Sequence, residues 1–209
     1  MDRDELVRML SGDVEDTPLL PCRTFSDLFP VFFRRTLSDS IVDSDFPDLK
    51  YQLSGYNHFK IIKEGHKKLV ARLLKAYPDK NKSDIKKIVT AALLVSKYFA
   101  KFPRFGDLET LYRSQTVDDT TLIAFLENFR KDSGIFGMYF LKASQVVMQS
   151  QIIDIPALDG DIKRYLMDRL NLPDDNKTIY RELMRLKRRT GHTGKALYAG
   201  LRTLANGDA

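Results

Sequence analysis

Cysteine is almost missing from this chain. Cys22 stands alone, so no intramolecular disulfide can form and no four-thiolate iron–sulfur cluster can be held. Histidine is nearly as scarce, and His58, His66 and His192 lie at unrelated spacings that offer no metal framework. No window approaches the roughly eighteen uncharged apolar residues of a membrane span. The opening MDRDELVRML places acids where a signal peptide needs a basic start and an apolar run. These absences predict a protein of the cytoplasm or nucleoid, away from membranes, with no metal or other cofactor. Strand-type alternation is scarce too, and there is neither an internal repeat nor a low-complexity tract.

What the chain does have is apolar surface and positive charge. Of its 209 residues, 43% are hydrophobic and 11% aromatic, enough for one good core or two small helical lobes. Helical spacing recurs throughout. Phe59, Ile62, Leu69, Leu73 and Leu74 mark a helix over about 56–77, stopped by Pro78. Ser83 is placed to cap a second, running to Phe102, with Ile85, Ile88, Val89, Ala92 and Phe99 on a broad apolar face. Asp107 opens a short helix, and Asp118 or Asp119 opens another to about Arg130. Further helices are expected over about 138–150, 160–170, 178–189 and 193–204. Pro18, Pro21, Pro30 and Pro47 break up the first fifty residues, where Phe25, Leu28, Phe29, Phe32 and Phe33 read as packing residues on one short helix. Short helices with short connections predict an all-α, two-lobed orthogonal array in a single domain. Along it lie an irregular segment (1–50), a helical lobe (51–132), a hairpin segment (133–170) and basic C-terminal helices (171–209). A monomer is expected.

The net charge is +6. Between Lys177 and Arg202 the basic residues Lys177, Arg181, Arg185, Lys187, Arg188, Arg189, Lys195 and Arg202 face a single acid, Glu182. Such a run is either a solvated helical face or the contact surface for a polyanion, and a phosphate backbone is the commonest of those. DNA is the expected partner, with Arg185, Lys187, Arg188, Arg189 and Lys195 as phosphate contacts. His192, between Gly191 and Gly194, either joins these contacts or simply links two helices.

The stretch from Ser133 to Leu170 carries the chemistry. The turn SGIFG lies between two helices, and glycine allows close approach of the main chain, so Gly134 and Gly137 can bring backbone N–H groups to a phosphate. The plain alternative is a helix-to-helix connection with glycine as C-cap. Beyond an irregular loop, Asp159 stands at the mouth of the next helix, followed by Asp161, Ile162 and Arg164. It reads either as a reacting carboxylate or as an N-cap.

This order of residues resembles the helix-hairpin-helix DNA glycosylases of the endonuclease III superfamily, over roughly Gly134 to Leu170. The resemblance implies a two-lobed helical fold that extrudes a damaged or modified base from DNA. It also implies that Asp159 stabilises charge on the sugar or activates a nucleophile, and that Arg164 lies near DNA. Lys142, 17 residues before Asp159, corresponds to the lysine that attacks the sugar in bifunctional members. It departs from the pattern by following Gly137 at five residues, and GIFG replaces a G-x-G turn. The run Phe140 to Val147 (FLKASQVV) is similar to that of bacteriophage amino acid:DNA transferases, offshoots of the same fold that displace pyrophosphate from an activated thymine methyl with an amine. There the implied co-substrate is a small amine or amino acid, with Asp159 as its base. A third possibility is a helical DNA-binding module with no reaction. Phe32, Phe33, Tyr98, Phe99, Tyr139 and Phe140 either line a base pocket or pack a core.

Overall fold

A computed structural model describes residues 3–12, 20–37, 41 and 46–207. Among them every regular element is helical and none is a strand. The helices are α1 (Arg3–Gly12), α2 (Phe25–Thr36), α3 (Leu49–Gln52), α4 (His58–Ala76), α5 (Lys82–Phe99), α6 (Phe105–Ser114), α7 (Asp119–Ser133), α8 (Phe140–Ser150), α9 (Gly160–Leu170), α10 (Asn176–Thr190) and α11 (Gly194–Gly207). They form two compact units. The central unit comprises Cys22–Thr110 and Arg130–Met138; the terminal unit comprises Met1–Pro21, Leu111–Phe129 and Tyr139–Ala209. The chain segment 133–170 is thereby divided: SGIFG belongs to the first, Lys142 and Asp159 to the second.

In the central unit α2 is the key packing element. Thr24 and Asp27 form a reciprocal capping box at its start, and Leu28, Phe29, Phe32 and Phe33 are buried on one face. Pro30 does not break this helix, contrary to expectation, but sits inside it. The loss of one backbone hydrogen bond is outweighed by the buried aromatics on both sides of it, each worth about 1.5–3 kcal/mol of burial. Phe32 stacks on Tyr98 at 5.4 Å and meets Phe99 edge-on at 5.3 Å. These aromatics are therefore core. α4 lies along α5, the two joined by the short link at Tyr77–Asn81. Gly65 (φ 74°, ψ 169°) interrupts α4, a backbone conformation open to glycine. Asn81, and not Ser83, caps α5: its Oδ1 accepts the Ser83 N–H at 2.7 Å.

In the terminal unit α9 packs on α11 and α1 on α10. α1 is a regular helix within the segment that reads as irregular in the sequence, with Leu6 and Leu10 as its buried anchors. Tyr112, Phe125 and Phe129 make an edge-to-face cluster at 5.3–6.4 Å. No described helix is long and apolar enough to cross a membrane.

Candidate functional site

The irregular stretch between α8 and α9 contains Ile152, Ile153, Ile155, Ala157 and Leu158, all buried. Buried loop backbone needs hydrogen-bond partners, and side chains of two helices, α8 and α10, supply some of them, while the loop's own Asp154 ties it to α11. Ser144 on α8 accepts the Leu158 N–H at 3.0 Å and directs its own proton to the Leu141 and Leu158 carbonyls. Tyr180 on α10 donates to the Pro156 carbonyl at 2.9 Å; burial pushes its hydroxyl far above the usual phenol range. Asp154 accepts the Gly194 N–H at 2.6 Å and pairs with Lys187 at 2.8 Å. The loop is fastened along its whole length.

Asp159 is the end point of this fastening. It caps α9 with extended backbone geometry, and Oδ1 accepts the N–H groups of Asp161 at 3.1 Å and Ile162 at 2.9 Å. Oδ2 accepts the Tyr198 hydroxyl at 2.7 Å, and the Arg202 guanidinium lies 3.8 Å away. Arg202 also donates to the Tyr198 oxygen at 3.4 Å. Burial, reinforced by the hydrogen bond to Asp159, raises the Tyr198 phenol above its ordinary value, so it stays protonated as a donor. The Asp159 side chain is only 12% exposed and each carboxylate oxygen has a partner. Chemically the arrangement places a buried carboxylate, a phenol and a guanidinium together at one helix start. Tyr198 and Arg202, four apart on α11, were not singled out in the sequence as partners of Asp159, because only the tertiary packing of α11 on α9 brings them there. Ser144 was missed for the same reason.

Lys142 lies in the first turn of α8, half-buried and engaged within the structure. Helix α8 begins at Phe140, two residues later than expected. Arg164 is exposed on α9, beside Asp161 and Asp168 in a cleft that also takes in Arg169 and Asn206.

In the turn, Gly134 (φ 72°) and Gly137 (φ 82°) both adopt left-handed conformations. The Gly134 N–H donates to the Arg130 carbonyl at 3.0 Å, closing α7 as a C-cap does. Ile135 donates to Ser133 Oγ at 3.1 Å and Met138 to the Ile135 carbonyl at 3.3 Å, so these N–H groups are spent within the turn.

The C-terminal basic run is answered inside the molecule. Arg188 forks onto both oxygens of Asp119 at 2.9 Å, Arg189 pairs with Asp4, Arg185 with Glu182 at 3.0 Å and Lys187 with Asp154. Arg189 holds the Asp4 carboxyl below its usual range, and buried Glu182 also takes Arg3 at 2.7 Å. The imbalance along the sequence is thus not an imbalance of the folded surface. Lys195 is exposed. His192 sets Nε2 at 3.0 Å from the Leu10 carbonyl; since a carbonyl only accepts, that nitrogen carries the proton.

Charge counted by unit lies elsewhere. The central unit holds 19 Lys and Arg against 11 Asp and Glu, a net +8, whereas the terminal unit, with 15 against 17, is at −2. Lys60, Lys63, Lys67, Lys68 and Lys86 of the central unit are exposed. Among the described residues no cluster of His, Cys, Asp and Glu is arranged to hold a metal ion. No family model, no curated protein and no solved structure matches the chain.

Proposed function

We propose that the protein binds DNA, with the central unit supplying the attraction. The observation that carries this reading is the net +8 of that unit, displayed on exposed lysines of α4 and α5. A surface of one sign is self-repulsive until a polyanion neutralises it, and each phosphate contact releases condensed counterions. With about four phosphates neutralised, log K falls with log salt at a slope of roughly −3 to −4. A flat response from low to physiological salt would sink the proposal.

The finer reading is a base-processing enzyme of the DNA glycosylase-like class, acting at Asp159 on an extruded base. Its support is the resemblance over Gly134 to Leu170, the two-unit helical organisation, and the position of Asp159 at a helix start beside a proton donor, Tyr198, and a cation, Arg202. Lys142 serves as the nucleophile if the reaction proceeds through a Schiff base; if the protein is an amino acid:DNA transferase, an amine is the co-substrate and Asp159 its base. A non-catalytic module is favoured by one specific feature: both oxygens of Asp159 are already filled.

Nucleoside mass spectrometry after incubation with normal, damaged and hypermodified DNA separates the three. A released base indicates a glycosylase, a mass gain on thymine a transferase, and no change a module. Asp159→Asn retains a cap, so an enzyme variant of this kind keeps its thermal stability while turnover drops by about a hundredfold or more. In a module, Asp159→Ala costs roughly 1 kcal/mol of stability and DNA affinity is unaltered.

A further inference from the structure

The turn that closes α7 turns an aromatic side chain toward solvent. Phe136 is 71% exposed, while its neighbour Ile135 is fully buried. The left-handed glycines on either side fix the turn, so Ile135 anchors it inward and Phe136 is presented outward. The Arg130 guanidinium lies over the Phe136 ring at 5.0 Å from its centroid, a cation–π contact. Arg130 covers one face of the ring, and the exposure of the residue lies on the rest.

Phe136 forms one wall of a groove of about 560 Å³, within the range of about 300–1,000 Å³ typical of small-ligand sites. The rest of its lining is one face of α5, with Ser83, Lys86, Lys87, Thr90 and Leu94 at helical spacing, and the end of α2 at Thr36. Lys87 is held by Asp84 at 2.9 Å, and Lys86 is exposed. The groove therefore combines an outward aromatic face, an apolar floor, three hydroxyl side chains and lysines on its rim. Its charge excludes a basic occupant, and an aromatic beside cations is the combination that unpaired nucleotides select, since every base offers a π-face and every linkage a phosphate. A base inside a duplex is already stacked on both sides.

We infer that the groove between the 133–137 turn and α5 is a binding site for single-stranded DNA, in which an unpaired base stacks on Phe136 and a flanking phosphate meets Lys86. This rests on the proposal that the protein binds DNA and names the state of DNA that the central unit recognises.

The chain has no tryptophan, so Phe136→Trp introduces a single tryptophan, selectively excited at long wavelength, without touching the core. Titration of that variant with oligothymidylate quenches its emission as the base stacks, at the concentration where fluorescence anisotropy reports binding. In the wild-type background Phe136→Ala weakens oligothymidylate binding by about 5- to 150-fold, the range for losing one base–aromatic stack. Affinity for a duplex of equal length, and the melting temperature, stay as they were. Phe136→Tyr restores oligothymidylate binding. If wild type binds both DNAs and Phe136→Ala weakens neither, or weakens both equally, the groove is not a single-strand site, although DNA binding stands. If wild type binds neither DNA, both readings fall. A concentration-dependent dimer that Phe136→Ala abolishes overturns the inference in favour of a second copy of the chain as occupant.

Discussion

The two units handle positive charge in opposite ways. In the terminal unit a run that looks one-sided along the chain is met by carboxylates from distant segments: Asp119 for Arg188, Asp4 for Arg189, Asp154 for Lys187. In the central unit lysines are scattered through α4 and α5, no stretch of them is as conspicuous, and yet the excess there is +8. Proximity in sequence thus measures charge along a line, whereas a partner senses the folded surface. A dense basic run can be internal wiring, and a diffuse one can be the exposed field.

The sharpest way to break this comparison is to reverse charge in each unit separately. Lys60, Lys63 and Lys67 changed together to Glu should lower DNA affinity by on the order of a hundredfold at low salt. The salt slope should also become shallower by up to about three, near 0.9 for each phosphate that is no longer neutralised. Arg188→Glu with Arg189→Glu should leave that slope close to wild type and lower the melting temperature instead, because Asp119 and Asp4 then face like charge. Anisotropy titrations at several salt concentrations, with thermal melts beside them, read both effects. Equal loss of affinity in the two variants would erase the distinction between the units.

The helical class and most helix positions were legible because they depend on periodicity and caps that act within a few residues. α9 and its cap at Asp159 are the clearest case: the aspartate accepts N–H groups two and three residues on, a purely local arrangement. The partners of Asp159 were not legible, since Tyr198 stands 39 residues away and reaches it only when α11 packs on α9. Local propensity makes Pro30 a helix breaker, and tertiary burial of Phe29, Phe32 and Phe33 overrides that preference. The same limit applies to the basic run, whose partners come from α1, the start of α7 and the 151–159 loop. Phe136 left a local trace, an aromatic between Gly134 and Gly137, but which of Ile135 and Phe136 turns outward is decided only by the fold.

A smaller effect sharpens the picture of the terminal unit as tightly fastened. A Cβ built on Gly194 would run into the Ile155 carbonyl and lie 2.5 Å from the Pro156 nitrogen. Both are backbone groups of a loop held by Ser144, Tyr180 and Asp154, so little can move aside. Gly194→Ala should cost about 2 kcal/mol, in the range for forcing extra volume into packed structure, seen as a lowered denaturant midpoint. Gly12→Ala, where nothing lies within 4 Å of the added carbon, is the control and should be close to neutral. If Gly194→Ala is equally neutral, the loop is looser than its hydrogen bonds imply.

The smallest effect concerns the central unit and pH. His58 begins α4 almost fully buried, with its ring 4.9 Å from Phe25 and 4.1 Å from Phe59, and its Nε2 has no hydrogen-bond partner among the described residues. Burial lowers its pKa below the ordinary histidine value of 6.5, because desolvation disfavours the charged form. In the unfolded chain the same side chain titrates at its ordinary value, so below that value the unfolded state binds more protons than the folded one. Stability must then rise with pH across this window and fall as pH drops through 6.5. Lowering the pH from about 7.5 to about 5.5 should therefore lower the melting temperature of wild type. His58→Gln, which keeps a polar side chain of similar length but cannot titrate, should show a smaller drop over the same interval. Circular-dichroism melts at matched ionic strength make the comparison, and parallel pH curves for the two proteins would mean that His58 takes up its proton as readily in the fold as outside it.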